Sequence, residues 1–327
     1  MIVLAESLLL SAGSSTPAAL SIVVPTYNER DRLPDLVDAL FDAYAAESLD
    51  GELIIVDDNS PDGTGRVADE LAARPRIGVV HRAGKLGLGT AVIEGFAAAS
   101  APIVGVIDAD LSHPPSLVPR MFAAMRERDA DVVIGSRYIA GGGTRNWPMS
   151  RLVLSRLACL LAVGLTPVRD PTSGLFLIRR ELARGVRISA GGFKICLELL
   201  IRSEPRRVLE IPYVFEGRTA GESKMNLAEA LGYLVQLRDL HRFKRSRGAR
   251  RPEYSVLTAQ ERDAAIVSVR TRPSSTTSGF GPTPRSPFFG DVVSGTRVPN
   301  TVLDNTCQAI ACFVSASRAT SPRCRRM

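Results

Sequence analysis

The sequence predicts an α/β fold with a mostly parallel central sheet joined by crossover helices, and three features carry that expectation. Short β-branched runs alternate with helical patterns over roughly the first two thirds of the chain, polar residues gather where each apolar run ends, and the texture changes abruptly near Pro252. The run "LSIVVPTYNE" from Leu20 reads as a first strand and "RLPDLVDALFDAYAAE" as the helix that returns from it. "GELIIVDDNSPDG" and "TGRVADELAAR" repeat the pair, "IGVVHR" supplies a third strand, and a helix is predicted from Thr90 to Ala99. "PIVGVIDAD" is next, then the helix "SLVPRMFAAMRERD" and the strand "ADVVIGSRYI". After Pro252 the chain is rich in Ser, Thr, Pro and Arg without periodicity, a composition that buries too little apolar surface to offset ordering. The organisation expected is an extension over 1–19, one domain over 20–250, and a disordered tail over 251–327 that is dispensable for chemistry.

Composition narrows the class. The chain has 327 residues, 45% of them hydrophobic, enough for a sizeable core. No stretch approaches the ~18 uninterrupted apolar residues of a membrane span, and "MIVLAESLLLSAG" carries Glu6 without a basic leader, so a cytoplasmic chain is expected. The five cysteines form no C-x-x-C pair and match no zinc spacing, which predicts neither disulfides nor zinc. Charge is uneven: there are 25 basic against 28 acidic residues through 237, and 16 against 6 after it. The basic run "RDLHRFKRSRGAR" could meet nucleic acid or anionic lipid, although such runs are most often simply solvated.

In parallel sheets the loops at the carboxyl ends of strands build the ligand site. Here those loops are Pro25 to Glu29, Asp57 to Gly63, Gly84 to Gly89, Asp108 to Pro114 and Gly135 to Tyr138. Taken alone, "DDNSPDG" reads as an Asx turn or helix cap, and Asp108 with Asp110 as an N-cap beside a solvated neighbour. Five polar strand ends in register are harder to explain as caps. Alternate residues at a frayed strand end can reach one ligand, and two carboxylates suit Mg2+ or Mn2+ with substrate phosphates completing the shell. "GKLGLG" has its glycines in the wrong order for a dinucleotide fingerprint, which counts against an oxidoreductase.

These stretches resemble the inverting glycosyltransferases of family 2, whose GT-A fold is Rossmann-like with helices on both faces of the sheet. Within that family they are most similar to the polyprenol-phosphate (dolichol-phosphate) mannosyltransferases. The resemblance rests on "VVPTYNE" at 23, "IVDDNSPDGT" at 55, "GKLGLGTA" at 84, "DADLSHPP" at 108, "GSRY" at 135, "WPMSRLVLSR" at 147, "DPTSGLFLIRR" at 170, "GGFKICLELL" at 191 and "GRTAGESKM" at 217. It covers roughly 20–245 and leaves the tail unmatched.

The resemblance implies transfer of mannose from GDP-mannose to a polyprenyl phosphate. Pro25, Tyr27, Glu29, Val56 and Asp58 then form the nucleoside pocket, joined in donor binding by Lys85, Asp108, Ala109, Asp110, Arg137, Arg218 and Lys224. Asp108 and Asp110 hold Mg2+ or Mn2+, with Ser112 beside them as a water anchor or supporting hydroxyl. Arg137 reaches the donor phosphates, and Arg218 and Lys224 close over the diphosphate on a loop hinged at Gly217 and Gly221. Asp110, Arg137, Arg218 and Lys224 carry catalysis, while Arg151 and Ser155 receive the acceptor phosphate. His113 is the tempting base, but beside two prolines it reads as a residue that shapes the loop. A UDP-glucose donor, or a noncatalytic nucleotide-binding adaptor on the same fold, stays open.

A lipid acceptor implies a membrane surface. "RLVLSRLACLLAVGL", 151–165, is too short to span and suits the interface, though its periodicity fits a helix buried on the sheet equally well. A second helix, "NLAEALGYLVQLRDLHRFKR", runs into the basic cluster, which suits anionic headgroups. The expected partners are therefore GDP-mannose, a polyprenyl phosphate, the cytoplasmic face of a membrane and a separate membrane-anchoring protein, with no nucleic acid.

Overall fold

The computed structural model describes residues 17–188, 194–217, 227–247 and 252–261. All of them lie within the contact unit Met1–Pro273. Strands β1 (Leu20–Thr26), β2 (Gly51–Asp57), β3 (Ile77–His81), β4 (Ile103–Val106) and β5 (Val132–Ser136) alternate with helices α1 (Leu33–Ala46), α2 (Thr64–Leu71), α3 (Leu88–Ala98) and α4 (Leu117–Glu127), as the hydrophobic pattern predicts. There follow β6 (Gly143–Arg145), α5 (Met149–Leu161), β7 (Phe176–Arg179), α6 (Arg180–Ala183), α7 (Ile195–Arg202), β8 (Arg207–Pro212), β9 (Val214–Glu216), α8 (Leu227–Arg247) and β10 (Glu253–Val256).

Eight strands make one sheet in the order β10-β8-β5-β7-β4-β1-β2-β3, and β6 pairs with β9 in a separate parallel ribbon. Strands β1, β2 and β4 are Val- and Ile-rich and buried on both faces because helices cover both sides. One face packs Leu36, Val37 and Leu40 of α1 with Met121 and Met125 of α4, and the other packs Val92 and Phe96 of α3 with Ile195 and Leu199 of α7. α1 begins with a proline in its first turn, where the missing N–H costs nothing, and buries Leu33, Leu36, Val37, Leu40 and Tyr44 at helical spacing.

Every neighbouring pair in the large sheet is parallel except around β7, which runs antiparallel to both β4 and β5. Alternation of strand and helix does not signal this insertion, because β7 follows α5 by a long irregular link, 162–175. Its consequence is local and large: the segment that enters β7 sits at the sheet edge where its neighbours end.

The tail boundary needs correction. A disordered tail was expected from 251, yet β10 pairs in register with β8 from Glu253 to Val256. Tyr254 donates its hydroxyl to the buried Glu210 carboxylate, and Leu257 is buried. Four residues between a proline and a Ser/Thr-rich stretch are too few to show alternation, which is why the composition hides them. The expected result of truncation changes accordingly. A chain ending at Glu261 should melt like the full chain, whereas one ending at Arg251 loses the Leu257 side chain and the Tyr254 hydrogen bond. Each loss is worth about 1–3 kcal/mol, so calorimetry should show a melting point lower by several degrees.

Candidate active site

The parallel strands end at one edge of the sheet, and register sets what meets there. Thr26 lies opposite Asp57, and Asp57 opposite His81. Val23 pairs with Val106, so the loop that follows β4 emerges beside the end of β1. The β1 and β2 loops are stitched together: Asn28 N–H donates to Ser60 Oγ at 3.0 Å, Glu29 N–H to Thr64 Oγ1 at 3.0 Å, and Ser60 Oγ to Asp57 Oδ1 at 2.6 Å. Asp57 is thus the turn-forming carboxylate that "DDNSPDG" offered, leaving Asp58 to face the next loop.

Asp58 is held by a guanidinium that the sequence reading passed over. Arg82, almost fully buried at the end of β3, donates to Asp58 Oδ1, to Gly87 O at 3.2 Å, to Thr90 Oγ1 at 2.6 Å and to Glu94 at 3.1 Å. Gly87 N–H donates to the second Asp58 oxygen at 3.2 Å, so one network fixes both the carboxylate and the Gly84–Gly89 loop. The signal available was an arginine at the last position of an apolar strand, directly before a glycine loop. On the same side Lys85 places Nζ 3.9 Å over the ring of the exposed Tyr27, a cation–π contact. Pro25 and Glu29 are half-buried beside Tyr27. Val56 and Ala109 are buried.

The acidic loop is strained and enclosed. Leu111 adopts φ 60°, a left-handed conformation that costs a non-glycine residue about 1–2 kcal/mol. It turns the chain so that Ser112 N–H donates to Asp110 Oδ1 at 3.0 Å, while Arg32 donates to the Asp110 carbonyl at 3.2 Å. Asp110 is only 7% exposed, whereas the Asp108 side chain is 35% exposed. The open carboxylate of the pair is therefore Asp108. Beneath it His113 Nε2 lies 3.1 Å from Asp108 Oδ2, and Glu216 N–H of β9 ties the loop down through Ser112 O at 3.1 Å.

Arg137, expected at the donor phosphates, is paired with a carboxylate in this structure. Its Nε and Nη2 donate to the two carboxylate oxygens of Asp170 at 2.7 Å each, its own N–H donates to Asp170 Oδ2 at 3.0 Å, and both side chains are buried. Burial alone would lower the guanidinium pKa, but the Asp170 charge outweighs it and the net shift is upward. The antiparallel insertion of β7 explains the pair, because it delivers Asp170, Thr172 and Gly174 between the acidic loop and the end of β5. Cys159 Sγ lies 3.4 Å from Thr172 Oγ1, and burial pushes its thiol up to about 12. Lys194, at the start of α7, joins this group: burial, and then the Arg137 charge, lower its pKa. Asp170 and Lys194 lie within matched stretches, yet nothing in the linear sequence tells which polar residue there turns inward.

An aromatic wall closes this side. Phe215 packs on Trp147 at 5.0 Å and on His113 at 5.1 Å, and the Arg151 guanidinium lies 4.3 Å over Trp147 and 6.0 Å over Phe215. Contacts thus run from Arg151 through Phe215 and His113 to Asp108. Ser155, one turn along α5, accepts from the Tyr138 hydroxyl at 2.7 Å. The outer face of α5 is not packed on the sheet: Met149, Val153, Leu157, Leu160 and Leu161 are exposed, as are Leu231, Leu234 and Val235 of α8. Arg218, Lys224 and Gly221 lie outside the described residues. Gly217 is described, and its N–H donates to Arg145 O at 2.9 Å; a Cβ there would come 2.6 Å from the Asn146 carbonyl, so the backbones approach closely.

Two carboxylates and a buried Ser112 hydroxyl without a hydrogen-bond partner fit a hard divalent cation. Among the described residues no group of three His, Cys, Asp or Glu side chains assembles.

A mostly parallel α/β sheet thus gathers an acidic loop and the Asp58–Arg82 pair at its carboxyl edge. The chain belongs to glycosyl transferase family 2, whose model matches residues 21–194, and it is a glycosyltransferase. It is 39% identical over 219 residues to the dolichol-phosphate mannosyltransferase of Pyrococcus furiosus, a match that covers 66% of this chain and 61% of that one. It is 37% identical over 235 residues to the enzyme of the same name from Saccharomyces cerevisiae, covering 68% and 87%. Against the polyprenol monophosphomannose synthase of Mycolicibacterium smegmatis it is 39% identical over 245 residues, covering 69% and 89%. Among solved structures, the mannosyl-3-phosphoglycerate synthase of Rubrobacter xylanophilus superposes with a TM-score of 0.50 at 20% identity, covering 71% of this chain and 75% of that one, a likeness of fold.

Proposed function

We propose that the chain transfers mannose from GDP-mannose to a polyprenyl phosphate with inversion, using Mg2+ or Mn2+, to give the β-linked lipid phosphate mannose. The observation that carries this reading is the continuous contact path from Arg151, on a helix whose outer face is apolar, to Asp108 at the sheet edge. A lipid phosphate could lie with its chain along that face and its charge at Arg151, next to the acidic loop. The names of the relatives support the mannose and the polyprenyl phosphate acceptor of this reading.

The chemistry asks little of a general base. A phosphate monoester, with a second pKa of about 6, is largely ionised at neutrality and can attack C1 of the sugar unaided. What remains is placement and charge. Arg151, braced on Trp147, and Ser155 would orient the acceptor phosphate, because guanidinium and hydroxyl donors match its oxygens. Asp58, fixed by Arg82, would accept from the donor's nucleoside, with Tyr27 offering a face to the base. Asp108 and Asp110 would hold the divalent cation, which supplies positive charge to the departing diphosphate. Arg137 contributes through its position in the wall and its paired charge rather than by an open fork. Arg218 and Lys224 would complete the diphosphate side from the segment after Gly217.

Among the described residues no helix is long and apolar enough to cross a membrane. We assign the α5 and α8 outer faces, with Arg245 and Arg247 in the last turn of α8, to peripheral contact with an anionic membrane surface. Any anchoring protein would meet the chain there.

The test is to incubate the purified chain with labelled GDP-mannose or UDP-glucose and a short polyprenyl phosphate, with and without Mn2+. Product from GDP-mannose alone is expected; product from UDP-glucose alone would overturn the donor, and no lipid product from either would overturn the reaction. A second measurement separates the two substrates. Arg151→Ala removes a charge-assisted contact worth about 1.5–3 kcal/mol and should raise the KM for lipid phosphate by roughly 10- to 100-fold. GDP-mannose affinity, read by calorimetry, should hold; an equal loss there would move Arg151 to the donor side.

A further inference from the structure

His113 is more enclosed than a loop-shaping residue needs to be. It is 1% exposed, its ring stands edge-on to Phe215 at 5.1 Å and 88° and tilts against Tyr213 at 5.4 Å, and its Nδ1 is buried without a hydrogen-bond partner. One polar contact of the imidazole is defined, from Nε2 to Asp108 Oδ2 at 3.1 Å. A carboxylate offers only acceptors, so Nε2 is the donor. Gly174 borders the same oxygen: a Cβ there would come 2.6 Å from Oδ2. The Asp108 carboxylate is therefore bordered by a buried N–H and by a glycine, and its side chain is 35% exposed.

We propose that His113 is a positioning residue for cation binding: it donates Nε2–H to Asp108 and fixes that carboxylate in one orientation, with Gly174 leaving the space it occupies. The inference rests on the reading of Asp108 as a cation ligand. It explains why an imidazole is sealed in an aromatic wall beside a strained loop, since a ligand carboxylate that must not rotate needs a donor that cannot rotate either. It also removes His113 from the candidates for general base, because one nitrogen is committed to Asp108 and the other is closed off from the cleft.

Paired variants separate the hydrogen bond from the packing. His113→Phe keeps an aromatic ring between Tyr213 and Phe215 and deletes the donor; His113→Gln carries an amide N–H near the place of Nε2. Mn2+ is titrated into the purified full chain and the free ion is read by electron paramagnetic resonance, with thermal melts in parallel. His113→Phe should weaken Mn2+ binding by about tenfold or more, and His113→Gln should return it to within a few-fold of the wild type. Gly174→Ala, whose Cβ would crowd the carboxylate, should weaken it as well and serves if His113→Phe does not fold. Wild-type affinity in a folded His113→Phe chain, or equal weakening in the Phe and Gln variants, overturns the positioning role. The underlying reading fails separately, through Asp108→Asn: if that variant binds Mn2+ like the wild type, Asp108 is not a ligand.

Discussion

Asp110→Asn should lower the rate of mannose transfer by about a thousandfold or more while the protein melts as the wild type does. On the proposed reading, losing a cation-holding carboxylate would remove several kcal/mol of stabilisation from the departing diphosphate, and about 4 kcal/mol corresponds to three orders of magnitude in rate. The choice of asparagine follows from the structure. Asp110 was expected at a solvent-facing strand end, but it is 7% exposed and its Oδ1 accepts the Ser112 N–H at 3.0 Å within the turn at Leu111. Alanine would delete that bond along with the charge, confounding fold and chemistry. Asparagine keeps an oxygen for Ser112 and loses only the negative charge. Single-turnover transfer from labelled GDP-mannose at saturating Mn2+ reads the effect, and near-normal turnover by a folded variant would remove Asp110 from the cation site.

The contrast between Asp108 and Asp110 marks where linear reading stops. That the two aspartates end a buried strand is visible in "VIDADLSHPP", because apolar runs and their polar ends are one-dimensional features. Which one opens to the cleft depends on φ at Leu111 and on β9 crossing below the loop, and neither is written locally. The parallel strands β1 to β5, each with its own alternation or apolar run, were legible for the same reason. β7 was not, since "LFLIRR" shows no sign of running antiparallel, and with it went the partner of Arg137. α5 is a third case: an apolar helix with two arginines fits burial or an interface equally, and only the packing of its neighbours leaves Val153, Leu157 and Leu160 uncovered. Residues placed by one strand end alone were legible; pairings that need two elements to meet, Arg82 with Asp58 and Asp170 with Arg137, were not.

The Arg137–Asp170 pair leads to the second large effect. Removing one member of a buried, bidentate ion pair strands the other charge in a medium that solvates it poorly, and such losses run to about 3–5 kcal/mol. Arg137→Ala should therefore destabilise the fold by that amount. In a protein of this size the melting point would fall by roughly 6–20 °C. Asp170→Ala should cost at least as much, because Asp170 also accepts the Arg137 backbone N–H at 3.0 Å. Replacing both members with apolar residues of similar bulk, Arg137→Met with Asp170→Leu, should cost less than the sum of the single changes, since no lone charge is left behind. Urea unfolding of Arg137→Met, Asp170→Leu and the chain carrying both measures the coupling directly. A guanidinium that served the donor diphosphate instead would give a different pattern: Arg137→Ala would melt like the wild type and bind GDP-mannose at least tenfold more weakly. That pattern would restore Arg137 to the phosphates and leave Asp170 as its orienting partner; loss of stability that is largely recovered in the double variant assigns the pair to holding the β5 and β7 ends in place, the frame on which the acidic loop and the Trp147–Phe215 wall are mounted.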